Sequence, residues 1–151
     1  MAQAEPRPLC YIASPLGFTE AGRQYHSQVY LPALAAVVEP VDPWAPTGTA
    51  WETTREFALE VGRRNAEAIR SCTLLAAYLE GQEPDAGTVA EVGYAAGLGL
   101  RCFGLRSDLR QSGEPGVAVN LQVEALIVES GGRIVASLEE LVAELGATLR
   151  G

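Results

Sequence analysis

The sequence predicts a three-layer α/β domain built on a doubly wound, parallel, five-stranded sheet, and three observations carry that reading. Five short apolar runs are spaced along the chain, each nearly continuous rather than alternating, as strands covered on both faces require. Helix-length segments lie between them, the alternation that parallel strands with right-handed crossovers produce. The 151 residues, 48% hydrophobic with a mean hydropathy of +0.08, suffice for one core and one domain, residues 1–151.

The first strand is read in "LCYIA", Leu9 to Ala13, and a weaker second in "VVEPV", Val37 to Val41, where Pro40 interrupts the run. "TLLAAYL", Thr73 to Leu79, is the strongest central strand; "RCFGL", Arg101 to Leu105, and "RIVA", Arg133 to Ala136, complete the set. Helices are expected over Glu20 to Ala36, over Glu52 to Ser71 with Phe57, Val61 and Ile69 at multiples of four, over Thr88 to Leu98, and over Asn120 to Glu129. Ser137 and Glu140 form a capping-box pattern that opens a last helix running to about Leu145. A flavodoxin-like or Rossmann-like strand order follows, with ligands beyond the strand C-termini. Two long loops, Asp42 to Thr54 and Arg106 to Val119, would leave that same edge, where they serve as connections or as a pocket rim.

Composition excludes several chemistries. A formal charge of -8 and a pI near 4.6 argue against non-specific nucleic-acid binding, which needs arrays of cations, but leave a small nucleoside open. All eleven basic residues are Arg, so neither a Schiff-base lysine nor a Walker-A lysine exists. One histidine, His26, rules out a multi-histidine metal site within one chain; it is expected on the surface or in a groove, with no catalytic role. Cys10, Cys72 and Cys102 are too widely spaced for a zinc ribbon and read as buried filler. The start lacks the features of a signal peptide and no run reaches membrane-spanning length, so a soluble cytoplasmic protein is expected. No dinucleotide fingerprint is present: "YIASPLG" is not G-x-G-x-x-G.

Certain polar residues exceed what the fold needs. In "PDAGTVAEVGYAAGLG", Thr88 and Glu91 fit the S/T-x-x-E capping box, which would make Glu91 purely structural. Asp85 six residues earlier and the intervening Gly87, which lets backbone approach a ligand, instead allow two carboxylates to face one cleft. Such a pair suits glycosidic bond cleavage, one carboxylate attacking or stabilising the sugar cation while another group manages protons. Asn65 continues the stripe of Phe57, Val61 and Ile69, so its amide either bonds a nearby loop or points into the pocket. Tyr11 packs in the core or donates to a carboxylate, and Asn120 is a helix cap or a site residue. Phe18, Trp44 and Trp51 could stack on a planar base, and Ser14 and Arg23 could reach a 5'-oxygen.

These positions together resemble the nucleoside 2-deoxyribosyltransferase family over roughly Leu9 to Ala136. The resemblance rests on Tyr11 in "YIASP", Asn65 and Ile69 in "NAEAIRSCTLLAAYLEG", Asp85, Gly87, Thr88, Glu91 and Gly93 in "DAGTVAEVGYAAGLG", and Asn120 in "VNLQ". It implies exchange of the base of a 2'-deoxynucleoside for another free nucleobase, with no metal and no organic cofactor. Glu91 would be the nucleophile on C1', Tyr11 its hydrogen-bonding partner, and Asp85 a group engaging the deoxyribose or the base proton. Asn120, with Gln122 beside it, would reach a neighbouring subunit's site and bind the sugar 5'-hydroxyl, in a homo-oligomer. The family's well-described members carry Asp where this chain has Asn65, and an amide cannot act as a carboxylic acid. Two alternatives stand beside transfer: an N-hydrolase of 2'-deoxynucleosides or their 5'-monophosphates, and a non-catalytic nucleoside sensor.

Overall fold

The computed structural model describes residues 6–47 and 52–150. Trp51 lies outside them. Strands β1 (Leu9–Ala13), β2 (Glu39–Val41), β3 (Leu74–Tyr78), β4 (Arg101–Leu105) and β5 (Ile134–Val135) form one sheet in the order β2-β1-β3-β4-β5. Every neighbouring pair is parallel. This is the flavodoxin-like order. The second strand is shorter than the sequence implied. The amides of Val37 and Val38 both bond back to the Leu34 carbonyl, so these residues finish a helix and the strand begins at Glu39. Pro40 is tolerated because β2 is an edge strand.

The helix expected over Glu20 to Ala36 is wound in three pieces: α1 (Glu20–Tyr25), a π-turn over His26–Tyr30, and α2 (Leu31–Ala35). A short helix, α3 (Trp44–Thr47), occupies part of the segment read as a loop after Asp42. The next helix, α4 (Arg55–Arg70), starts later than Glu52 because the Thr54 hydroxyl accepts the Phe57 amide and caps it there. The remaining helices are α5 (Ala86–Gly97), α6 (Leu121–Glu129) and α7 (Leu138–Ala147), the last two capped by Asn120 and Ser137. Glu140 reaches back to the Ala136 amide at 3.0 Å, one residue before the position a regular capping box uses.

Alternation along the strands divides the core in two. Cys10, Ile12, Leu74, Ala76, Phe103 and Leu105 face Tyr30, Leu34, Leu141 and Leu145 on one side of the sheet. Tyr11, Ala13, Leu75, Ala77 and Cys102 face Ile69, Val92, Ala95 and Ile127 on the other. Both faces are apolar, which is why the strand runs look continuous in sequence. All three cysteines are buried free thiols.

The sheet's C-terminal edge is braced rather than loose. The buried Arg106 guanidinium donates to the carbonyls of Leu79, Gly81 and Arg110 at 2.7–2.9 Å. The Glu80 carboxylate accepts from the amides of Ser107 and Asp108 at 2.6 and 2.8 Å. The loop after β4 is thereby tied to the loop after β3. Among the described residues no helix is long and apolar enough to cross a membrane.

Candidate active site

The chain leaves β1 toward β2 on one side and β3 toward β4 on the other, so a crevice opens between the C-terminal ends of β1 and β3. A cleft lies there, open to solvent, where ligands bind in open parallel sheets. Ser14 and Phe18 follow β1, Pro43 and Trp44 follow β2, Val61 and Asn65 come from α4, and Asp85, Gly87, Thr88 and Glu91 come from the start of α5.

The capping-box reading of Thr88 and Glu91 is incorrect. Asp85 is the cap: its Oδ2 accepts from the Thr88 amide at 2.8 Å and from the Thr88 hydroxyl at 3.1 Å. The helix therefore starts at Ala86, two residues before the expected Thr88, and Thr88 is buried as the cap's donor. Glu91 then sits on the second turn, too far along to serve the cap, and its carboxylate lines the cleft. Asp-x-x-Thr and Thr-x-x-Glu overlap in this segment, and only the observed φ/ψ of Asp85 selects the first.

Burial pushes the Glu91 carboxyl up to about 7; the nearby Tyr11 hydroxyl opposes the rise and the Asp85 charge adds to it. The Tyr11 side chain is fully buried in β1, beneath Glu91. Its hydroxyl is close enough to favour the ionised carboxylate, yet the contact falls short of regular hydrogen-bond geometry. Tyr11 itself is held well above its ordinary pKa by burial and by the Glu91 charge. A Cβ at Gly87 would lie 3.2 Å from the Asp85 Oδ2, so the glycine leaves that carboxylate its place.

An aromatic wall faces the carboxylates. The Trp44 indole N–H donates to the Ser14 carbonyl at 3.0 Å, and the Phe18 ring meets the indole edge-on at 4.8 Å. Gly17 makes this possible, because a Cβ there would stand 2.1 Å from the indole. Phe18 remains 63% exposed, at the mouth of the cleft. Asn65 is half-buried and lines both this cleft and an adjoining space bounded by Val41, Asp42, Pro43, Val61, Arg64 and Ala68.

Of the residues singled out in the sequence, Ser14, Phe18, Trp44, Asn65, Asp85, Gly87, Thr88 and Glu91 thus line one cleft, with Tyr11 directly under it. Asn120 and Gln122 do not: they lie exposed at the start of α6, where the Asn120 Oδ1 accepts the Gln122 amide at 3.0 Å. Arg23 is turned instead onto the Gly17 carbonyl, at 3.1 Å. Sequence reasoning missed a buried pair. His26, expected at the surface or in a groove, is only 7% exposed, and its Nε2 lies 2.9 Å from the Asp42 Oδ2. The expectation failed because it followed the polarity of His26, whereas His26, Tyr30 and Leu34, spaced by four, share one buried face.

The sequence model of the nucleoside 2-deoxyribosyltransferase family matches residues 10–138. The chain belongs to that family. Its members process nucleosides, and open parallel sheets as a class bind ligands at the crevice where the cleft lies. Solved structures with the same architecture include a conserved protein from Enterococcus faecalis V583, at 24% identity and a TM-score of 0.78, covering 94% of this chain and 99% of that one. A 2-deoxyribosyltransferase from Leishmania mexicana matches at 25% identity and a TM-score of 0.71, covering 93% and 97%. More distant in shape is a CMP N-glycosidase from Clostridium botulinum, at 16% identity and a TM-score of 0.57, covering 93% and 98%. No curated protein matches the sequence.

Proposed function

We propose that the protein transfers 2-deoxyribose between nucleobases through a covalent ester on Glu91. One observation carries the reading: a half-buried carboxylate, flanked by a tyrosine hydroxyl and a helix-capping aspartate, faces a cleft with an aromatic wall at the crevice of the sheet. In the first half-reaction a Glu91 oxygen attacks C1', the C1'–N bond breaks, and its electron pair leaves with the base, which takes up a proton. In the second, a ring nitrogen of another base attacks C1' from the face opposite the ester, the C1'–O bond breaks to release the carboxylate, the incoming base gives up its N–H proton, and the configuration is retained overall.

The neighbours have parts in this scheme. Asp85 uses one oxygen to cap α5 and has the other for a deoxyribose hydroxyl or the base proton. Tyr11 favours the charged carboxylate. Asn65 offers a donor and an acceptor to a base edge, against which Trp44 and Phe18 can stack. Ser14 and Gly87 let the substrate approach the backbone. Asn120 and Gln122 serve the cleft of a second copy of the chain, where Asn120 would hold the sugar 5'-hydroxyl. The likeness to a CMP N-glycosidase supports a second reading in which water takes the acceptor's place.

Incubation with 2'-deoxyinosine and adenine separates these readings. Formation of deoxyadenosine supports transfer, and hypoxanthine release without a new nucleoside supports hydrolysis. Tight nucleoside binding with neither product would mark a sensor. Glu91→Ala is expected to abolish exchange and the deoxyribosyl adduct seen by intact-protein mass measurement; normal turnover by this variant would remove Glu91 from the mechanism.

A further inference from the structure

We propose that His26 is a positioning residue for the aromatic wall of the cleft, acting through Asp42 on Trp44. The chain of contacts is continuous. The His26 Nε2 lies 2.9 Å from the Asp42 Oδ2, and the Asp42 Oδ1 accepts the Trp44 amide at 3.0 Å. The Asp42 carbonyl also accepts the Ala45 amide at 3.2 Å, closing the turn that starts α3. At its far end the Trp44 indole donates to the Ser14 carbonyl, just past β1. Trp44 is thus held by its backbone from the β2 side and by its ring from the β1 side.

The inward histidine opens a π-turn. The Leu31 amide bonds to the His26 carbonyl, five residues back, instead of four. His26, Tyr30 and Leu34, spaced by four, share one buried face. The arrangement costs something: among the described residues the buried His26 Nδ1 has no hydrogen-bond partner. A buried orphan polar atom next to a non-standard helical turn is not what packing alone would select, since an apolar side chain would fill the same volume without it. The geometry is accounted for by what the other ring nitrogen holds. Asp42, with a side chain only 10% exposed, needs a donor on each oxygen, and His26 provides one of the two.

The kinetic consequence rests on the nucleoside-transfer reading of the cleft; the effect on Trp44 does not. With Trp51 replaced by Phe, Trp44 is the sole indole and its emission reports the wall directly. In that background His26→Ala is expected to shift the emission to the red and increase acrylamide quenching, and His26→Gln, which keeps a donor near the Nε2 position, is expected to restore both. In the native background His26→Ala should raise the KM for 2'-deoxyinosine roughly tenfold with kcat changed less than about threefold, because binding geometry is lost while Glu91 stays in place. Asp42→Ala should reproduce these effects, and the double variant should be no worse than either single one. A folded His26→Ala protein with unchanged Trp44 emission and KM would overturn the proposal, as would a Gln variant no better than the Ala variant. Additive effects in the double variant would overturn it too. Should His26→Ala fail to fold, Asp42→Ala decides alone: an unshifted emission sinks the proposal. If the wild type neither exchanges nor hydrolyses, the function reading fails while the emission series still settles the role of His26.

Discussion

At the scale of single residues, Glu91 concentrates the energetics of the site. Its carboxyl, ordinarily near 4.5, is raised by burial to about 7. The folded chain therefore keeps a proton that the unfolded chain has released between about pH 4.5 and 7, and stability falls as pH rises through that window. The whole effect amounts to about 3 kcal/mol. Glu91→Gln removes it, so the variant should match the wild type in urea titrations near pH 4 and exceed it by up to about 3 kcal/mol at pH 8. Exchange has the opposite pH sense. Attack requires the ionised form, so kcat/KM, which reports the free enzyme, should climb as pH rises through about 7. A flat profile between pH 6 and 8 would argue against Glu91 as nucleophile. Asn65→Asp introduces a new titrating group into the cleft and should add a second limb to that profile or alter base preference; an unchanged profile and selectivity would speak against Asn65 contacting the base.

At the scale of elements, α5 shows both how much the sequence reveals and where it stops. The apolar strand before it, the glycine, and the run of small residues were enough to predict a strand, a turn and a helix. The cap was misassigned because a Ser/Thr/Asp followed by a suitable partner occurs twice within seven residues, and local spacing cannot choose between the two. The choice matters: Asp85 as cap frees Glu91, and the carboxylate pair becomes a product of how the helix starts. Asp85→Asn should keep the cap, since Asn and Asp serve equally there, and cost well under about 1 kcal/mol; Asp85→Ala should cost about 1 kcal/mol. By removing the charge that raises Glu91, the Asn variant should also move the midpoint of the pH–rate profile downward. The helix before β2 marks the other limit. Hydrophobic periodicity presumes 3.6 residues per turn, so the π-turn was invisible to it, and it counts only apolar side chains, so it passed over His26 four residues before Tyr30.

At the scale of the whole molecule, strand number, direction and the placement of the cleft were legible, because doubly buried strands leave continuous apolar runs and an open parallel sheet binds at its crevice. The approach of Tyr11 to Glu91 was not derivable from spacing: the two are eighty positions apart and meet only because β1 and β3 are neighbours in the sheet. Asn120 and Gln122 stand outside the cleft on α6, whose Leu121 and Val128 are exposed. If a second copy covers that helix and completes the site, inactive Glu91→Ala and Asn120→Ala chains should restore activity when co-expressed. For two shared sites in an isologous pair the statistical yield is about a quarter of the wild-type rate. No recovery, with mixed oligomers present, would confine each site to its own chain.

The carboxylates and the wall opposite them belong to separate stretches of chain. Asp85 and Glu91 ride on one helix whose first turn Asp85 itself fixes, whereas Pro43, Trp44, Val61 and Asn65 come from the segment after β2 and from α4. For anyone engineering the protein, this makes bond breaking and partner choice separable traits. Libraries restricted to those four positions should redistribute which nucleobases are accepted while leaving the register of α5, and with it the reactive pair, untouched.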